Sequence, residues 1–397
     1  PAMELRPADR HRWFRREVRD WRDANLPPAG RERCDGYEPL AREELQAWHR
    51  LLAAKGWAAP HWPVPWGGTG WDATRRFLFE QECGRAGAPP LSAFGLVMCA
   101  SVLLRFGTEA QKARFLPPMY RGDEFWCQGY SEPGAGSDLA SLSTRAERVG
   151  DHYVVNGQKT WTSFAHIADW MFALVRTDPD APRRQEGISF LLIDMKSPGL
   201  VVRPLVLMDG SHEVNEVFFD NVKVPVGNRV GDEHKGWTLA KMLLGFERAN
   251  AGRVGYSRRE LDKLKRLCRA HRGDDGRPLI ENSRFRDRLT RLEAQLMALE
   301  VTSLRFLDEM QRTGKPPGPD VGMVKIVGTR ISQDLTELMM EAGGDAAHAV
   351  RDLANRRTLE DWHSRLAPRY ANFRKTTIFG GSTEVQYNIF AQTTLGL

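Results

Sequence analysis

The stretch His152-Tyr153-Val154-Val155-Asn156-Gly157-Gln158-Lys159-Thr160-Trp161-Thr162-Ser163 decides how the middle of the chain folds. Its β-branched and aromatic residues read as strand. Asn156-Gly157, two residues that tolerate positive φ between apolar-flanked runs, is a hairpin signal. Further strand-like runs lie at Trp170 to Val175, Ile188 to Ile193, Leu200 to Val206 and Glu216 to Phe219, and Pro198-Gly199 marks a second turn. Hairpins of this kind imply antiparallel pairing rather than a βαβ array.

On both sides of this β region the apolar period lengthens to that of helices. Upstream, Leu40 to Lys55, Ala73 to Ala86 and Ala100 to Phe106 carry apolar residues at three- and four-residue spacing. Between them, Pro60 to Gly70 reads as a loop, and no Gly-Lys-Ser/Thr follows it to make a phosphate cradle. Downstream, the stripes Phe285, Leu289, Leu292, Leu296, Leu299 and Val327, Ile331, Leu335, Leu338 predict bundle helices. Gly314-Lys315-Pro316 and Gly343-Gly344 are expected to end them after about four or five turns. The expected architecture is α+β multidomain, with an N-terminal helical domain (1–123), a middle antiparallel β domain (124–228) and a C-terminal four-helix-bundle-like domain (229–397).

Composition removes several functional classes. With 41% hydrophobic and 27% charged residues over 397 positions, the chain has ordinary soluble usage and enough length for a sizeable core. Its apolar runs all fall short of the roughly 18 to 20 residues a membrane span needs, and the charged start lacks the apolar stretch of a secretory signal. No membrane span is expected, and a cytoplasmic location is. The five cysteines are scattered without C-x-x-C spacing, which argues against a disulfide scaffold or a zinc site, so no metal is expected. The net charge of +6 is spread among acidic residues without an aromatic-interleaved basic strip, so it suits an anionic small molecule or acidic partner protein rather than nucleic acid. No G-x-G-x-x-G follows a strand, so a Rossmann site has no support.

Three segments can carry chemistry. In Cys127-Gln128-Gly129-Tyr130-Ser131-Glu132-Pro133-Gly134-Ala135-Gly136-Ser137-Asp138, glycines and a proline expose backbone N–H groups beside the hydroxyls of Tyr130, Ser131 and Ser137. That mix suits a flavin edge and a phosphate, although by residue type alone a plain loop is favoured. In Gln158 to Ser163, Trp161 followed by Thr162 and Ser163 can stack on an isoalloxazine ring and hydrogen-bond its edge; the alternative is a core tryptophan. In Thr376 to Gln386, Gly380-Gly381 presents amides ahead of Ser382, Thr383 and Glu384, which suits a carbonyl oxygen or cofactor and equally an ordinary helix start capped by Ser382.

In this order and spacing the three segments resemble the acyl-CoA dehydrogenase family over nearly the whole chain. Further matching pieces are Phe106 to Glu109 with Gln111-Lys112, Phe115 to Pro118, Val222 to Pro225 and Gly231 to Gly236. The resemblance implies the three-domain fold, FAD as cofactor and α,β-dehydrogenation of an acyl-CoA thioester. It also implies an electron-transfer flavoprotein as electron acceptor and a homotetramer or heterotetramer. It places Tyr130 and Ser131 at the flavin ring, Ser137 with Gly136 at phosphate and substrate, and Trp161, Thr162 and Ser163 against the flavin. Arg272 corresponds to an arginine reaching a neighbouring subunit's FAD, Gly343-Gly344 to a pair near the adenosine, and Ser382 and Glu384 to cofactor contacts.

Many members carry the catalytic glutamate where this chain has Gly380, which has no carboxylate. Isovaleryl and long-chain members instead place it before an arginine on a helix after the β domain, where this sequence has Glu247-Arg248. Glu247 continues the apolar face of Leu239 and Leu243, and partial desolvation there would raise its pKa and strengthen it as a base. A surface Glu247-Arg248 pair is the alternative. The resemblance implies Glu247 as base, the Gly380 N–H on the thioester oxygen, and Arg248 near the acyl-CoA. The family's Arg-x-x-Phe-Gly element loses its aromatic residue at Arg272 to Gly276, and Met340 replaces a glutamine before the glycine pair. These losses, with Gly380, leave a non-catalytic partner subunit as the alternative; a related flavin oxidase or monooxygenase is another.

Overall fold

A computed structural model describes residues 9–250, 252–273, 275–313, 318–348 and 365–397; within them, the side chains of 9, 10, 244–250, 310, 311 and 319 lie outside the description. Helices α1 (Asp9–Asn25), α2 (Pro28–Asp35), α3 (Arg42–Lys55), α4 (Ala73–Arg85), α5 (Ala100–Phe106) and α6 (Glu109–Arg121) come first. Eight strands follow: β1 (Trp126–Gly129), β2 (Arg145–Val149), β3 (His152–Ser163), β4 (Trp170–Arg176), β5 (Ile188–Asp194), β6 (Leu200–Val206), β7 (His212–Pro225) and β8 (Arg229–Val230). The chain then returns to helix in α7 (Gly236–Asn250), α8 (Val254–Ala270), α9 (Ser283–Thr313), α10 (Gly322–His348), α11 (Leu366–Phe373) and α12 (Thr383–Phe390). The helix, strand, helix order expected from the sequence is the observed one. By packing, the chain divides into two compact units, one of Pro1–Trp48, Trp71–Pro89 and Arg248–Leu397, the other of His49–Gly70 and Pro90–Glu247.

The second unit is built on one sheet in the order β6-β7-β3-β2-β4-β5-β8, with β1 pairing parallel to β4 and most other pairs antiparallel. Alternate residues of its central strands feed separate cores, as the two-residue period requires. Trp126, Phe172, Leu174, Phe190 and Leu192 pack in one cluster, and Cys127, Met171, Ala173, Leu191 and Ile193 in the other. Both faces are covered, which is why β4 and β5 read as continuous apolar runs.

The hairpin expected at Asn156-Gly157 is not there. β3 runs straight through both residues, and the β2–β3 hairpin turns instead at Gly150-Asp151, with Gly150 at φ +60°. The Asn-Gly signal answers two other demands. Gly157 sits at φ +145°, where a Cβ would lie 2.8 Å from the Thr144 backbone. Opposite, β7 carries an extra residue, with Asn221 at φ +52° and its N–H donating to Asn156 Oδ1 at 2.8 Å. The Pro198-Gly199 turn is present, with Gly199 at φ +86°.

In the first unit, Phe285, Leu289, Leu292, Leu296 and Leu299 of α9 are all buried in one core with residues of α8 and α10. α9 has 31 residues, about eight and a half turns and well beyond the four or five expected. Gly314-Lys315-Pro316 lies outside the described residues. α10 spans Gly343 and is interrupted at Gly344 (φ +53°, ψ −145°) before continuing to His348. Val327 does not face the core; it is 39% exposed, whereas Val324, Ile331, Leu335 and Leu338 are buried. Gly328 explains this register, because α10 meets the Gly252 backbone there so closely that a Cβ would lie 2.9 Å from its carbonyl oxygen. Among the described residues no helix is long and apolar enough to cross a membrane, and no group of three or more His, Cys, Asp or Glu is placed to hold a metal ion.

Leu296→Ala is expected to lower stability by about 2–5 kcal/mol through lost burial and a cavity, while Val327→Ala changes it by no more than about 0.5 kcal/mol; urea unfolding of both variants checks the register.

Candidate active site

In the second unit the first two sequence segments are joined by a buried charge pair. Lys159, with no exposed side-chain surface, donates from Nζ to Glu132 Oε1 at 2.7 Å and to the Tyr130 carbonyl at 3.2 Å. The Thr160 N–H donates to the Ser131 carbonyl at 2.9 Å. Glu132 also accepts from the Ser143 N–H (2.6 Å), the Ser143 hydroxyl (2.9 Å) and the Thr144 N–H (3.0 Å). Burial pushes the Glu132 carboxyl up, but the Lys159 ammonium and these hydrogen bonds outweigh it and hold it at about 2. Burial draws Lys159 down to about 8 against the pull of Glu132, so the pair is ionic at neutral pH.

Just beyond this clamp, β3 carries one more residue than β7, since Lys159 faces Val217 while Thr162 already faces Asn215. Such a bulge re-aims a side chain. Trp161 sits in it at φ +58°, the residue 60% exposed, a conformation that costs a bulky residue about 1–3 kcal/mol. Thr162 turns the other way; its side chain is buried and Oγ1 has no hydrogen-bond partner among the described residues. The Thr162 carbonyl accepts from Asn215 Nδ2 at 2.9 Å, and Asn215 is itself fully buried and bonded to His212 and His166. Ser163 and Ser131 are half-buried, and Gly136 and Ser137 lie on an exposed loop where a Cβ on Gly136 meets nothing within 4 Å. The Tyr130 ring belongs to the core, edge-on to Phe172 at 5.7 Å. A held-out indole beside half-buried hydroxyls and an open glycine loop fits a planar aromatic cofactor with a phosphate tail.

In the first unit Gly380 and Gly381 stand at φ +65° and +84°. The left-handed φ favours glycine at Gly381, and a Cβ there would also meet the Gln386 amide, 2.4 Å from Nε2, and push that side chain aside. Ser382 caps α12, its hydroxyl accepting from the Val385 N–H at 3.3 Å. Glu384 is exposed, and its carboxyl is held below the ordinary value by its own N–H, by the Ser382 hydroxyl and by the charge of Lys325. Lys325 is buried on α10 and donates to the Gly381 carbonyl. Arg272 is exposed and donates to the Gly276 carbonyl at 2.8 Å; Gly343 is half-buried and Gly344 exposed. Glu247 and Arg248 lie on α7, where Leu239 and Leu243 are buried, but their side chains lie outside the described ones.

Sequence reasoning quoted Glu132 and Lys159 without giving either a role, and it passed over Asn215 and Lys325. For Lys159 a signal existed: it shares the inward register of Tyr153 and Val155, where an ammonium survives only if paired.

Residues 8–123, 127–222 and 234–395 match, in order, the N-terminal, middle and C-terminal domains of acyl-CoA dehydrogenases. The chain belongs to the acyl-CoA dehydrogenase family, flavin-using oxidoreductases that act on a CH–CH bond. Acyl-CoA dehydrogenase IpdE1 of Mycobacterium tuberculosis is 39% identical to it over 393 residues, covering 97% of each chain. Among solved structures, the Tcur3481-Tcur3483 steroid ACAD is 28% identical with a TM-score of 0.87, covering 100% of this chain and 99% of its own. The ChsE4-ChsE5 complex from Mycobacterium tuberculosis is 32% identical with a TM-score of 0.84 over the same shares.

The Glu132 carboxyl sets an acid limit. Because its folded value of about 2 lies below the ordinary 4.5, the stability it contributes is present above pH 4.5 and is lost as pH falls toward 2. The shift corresponds to about 3 kcal/mol. Thermal midpoints measured from pH 6 to 2 are expected to fall more steeply for the unmodified chain than for Glu132→Gln, while Lys159→Met costs about 3–5 kcal/mol at pH 7 by stranding the carboxylate.

Proposed function

We propose that this chain is an FAD-dependent acyl-CoA dehydrogenase that converts an acyl-CoA thioester to its trans-2-enoyl thioester, with Glu247 as base. The observation that carries this reading is the match to all three family domains in order. Domain boundaries at 123/124 and 228/229 follow the same reading.

Bound FAD would supply the acceptor for the β-hydrogen, taken as hydride. Glu247 removes the α-proton as general base. The Gly380 N–H polarises the thioester oxygen, a task needing backbone rather than a side chain. Arg248 holds the acyl-CoA, with Ser137 as a further contact. Trp161 and Ser163 would flank the flavin, with Tyr130, Ser131, Thr162 and Gly136 shaping the same segments. Arg272, Gly343, Gly344, Ser382 and Glu384 are proposed for the remainder of the cofactor. Likeness to a steroid ACAD supports a bulky polycyclic or branched acyl group, and likeness to the ChsE4-ChsE5 complex supports a heterotetramer over a homotetramer. An electron-transfer flavoprotein is the proposed electron acceptor, and the cytoplasm the proposed location. The missing carboxylate at Gly380 favours one second reading, a partner subunit that is catalytically silent.

Anaerobic mixing of the FAD-loaded protein with straight, branched and polycyclic acyl-CoA thioesters decides between them. Bleaching of the flavin absorbance is expected with at least one thioester, slowed about 10²–10⁴-fold in Glu247→Gln with FAD retained. A chain that never bleaches alone but does so when co-expressed with a neighbouring family member is the partner subunit.

A further inference from the structure

Asn215 is fully buried on β7, opposite Thr162, the residue that follows the β3 bulge. Its amide meets three partners. Nδ2 donates to the Thr162 carbonyl at 2.9 Å and to His166 Nδ1 at 3.1 Å, and Oδ1 accepts from His212 Nε2 at 2.6 Å. The Thr162 carbonyl fixes which way round the amide sits, because a flipped Oδ1 would face that oxygen with no hydrogen between them. Each imidazole then has an assigned tautomer. His166 offers an unprotonated Nδ1, and His212 carries its proton on Nε2. The two rings stack with centroids 4.1 Å apart and 31° between their planes, and both residues are exposed.

Holding a carbonyl needs the amide alone. The stacked histidines add a connection between a fully buried bond and protons in solvent, and they respond to those protons differently. His212 can take a second proton on Nδ1 and keep its bond to Asn215. His166 cannot, since its second proton goes onto the very nitrogen that accepts from Asn215, setting two donors head to head and a second cation beside His212. Burial first, and then the charge of His212, draw the His166 imidazole below its ordinary value. An asparagine oxygen at that nitrogen would raise it; the NH₂ that the Thr162 carbonyl holds there opposes the proton instead. The titratable and charged groups on the surrounding elements are His212 and Glu213 of β7 and Asp169 of the same loop, which is engaged by the Phe125 N–H at 2.9 Å and by Lys196 at 3.8 Å. Among the described residues, His212 is the one whose charge bears on His166.

We infer that Asn215 is a positioning residue that locks the β3 bulge holding Trp161 outward, and that protonation of His166 releases the lock. A ring whose folded value lies below the ordinary 6.5 supports the fold above that pH, and the support is lost as pH falls through the folded value. The bulge is therefore locked at neutral pH and loosens in acid. Trp161 is the residue that responds, because it precedes the held Thr162 carbonyl in the chain and its left-handed backbone gains by relaxing. The consequence for a bound cofactor rests on the reading of the chain as a flavoprotein; the lock itself rests on the hydrogen bonds of Asn215.

The full chain is labelled with 5-fluorotryptophan, and the Trp161 resonance, assigned by its loss in Trp161→Phe, is followed from about pH 8 to 5, with FAD affinity titrated at both ends. His166→Gln keeps an acceptor for Asn215 that takes no proton, and His212→Gln keeps a donor to Oδ1. The unmodified chain is expected to show one transition with its midpoint below the ordinary histidine value and to bind FAD about tenfold more weakly at the acid end. His166→Gln is expected to show no transition and less than about a threefold change in FAD affinity. His212→Gln keeps the transition with a higher midpoint, the neighbouring charge being gone, and Asn215→Ala holds the acid position at every pH. A Trp161 resonance that does not move with pH in the unmodified chain, or a transition that persists unchanged in His166→Gln, overturns the inference. Should Asn215→Ala not fold, the two histidine variants decide. A chain that takes up no FAD at any pH overturns the flavoprotein reading, while the fluorine spectra still decide the lock.

Discussion

The ion pair between Lys159 and Glu132 is the constraint on which the β-rich unit depends. A loop of glycines and hydroxyls has no core of its own and would sample many conformations. Here Glu132 anchors it to Ser143 and Thr144, while Lys159 anchors it to β3 through the carboxylate and the Tyr130 carbonyl. Because the Thr160 amide adds a bond to Ser131, the two segments that look chemically equipped in the sequence become one rigid body. Loss of either charge would strand the other in a dry sheet, so the pair specifies geometry at a high cost of failure.

The fold was legible where periodicity had a single cause. β6 is bounded where the sequence places it, and the α9 stripe is buried throughout, because one face of each element meets one core. Legibility failed where a local signal had several possible uses. Asn156-Gly157 announces unusual backbone but not whether a turn, a bulge or a close approach consumes it. Val327 fits a helical stripe as well as Val324 does, and only the approach of Gly328 to the Gly252 backbone fixes which one faces inward.

The candidate site was legible in its segments and less so in its groups. Trp161 is held out as its polar neighbours suggest, yet Thr162 turns into the sheet, since a bulge of one residue decides which side chain faces out. Tyr130 brings a hydroxyl to the sequence motif, but its ring serves the core. Lys325 and Asn215 lie far in sequence from the backbone groups they hold, so no motif window contains both partners. The residues that orient a site through its main chain leave little local trace.

The left-handed backbone at Trp161 sets stability and ligand recognition against each other at one position. Glycine or asparagine would relax that backbone and, on folding free energy alone, outcompete tryptophan. Variants of this chain selected only for heat resistance would therefore drift toward a smoother sheet edge without the indole. A large aromatic ring held in such a conformation works against folding stability, which points to a use for the exposed indole in binding.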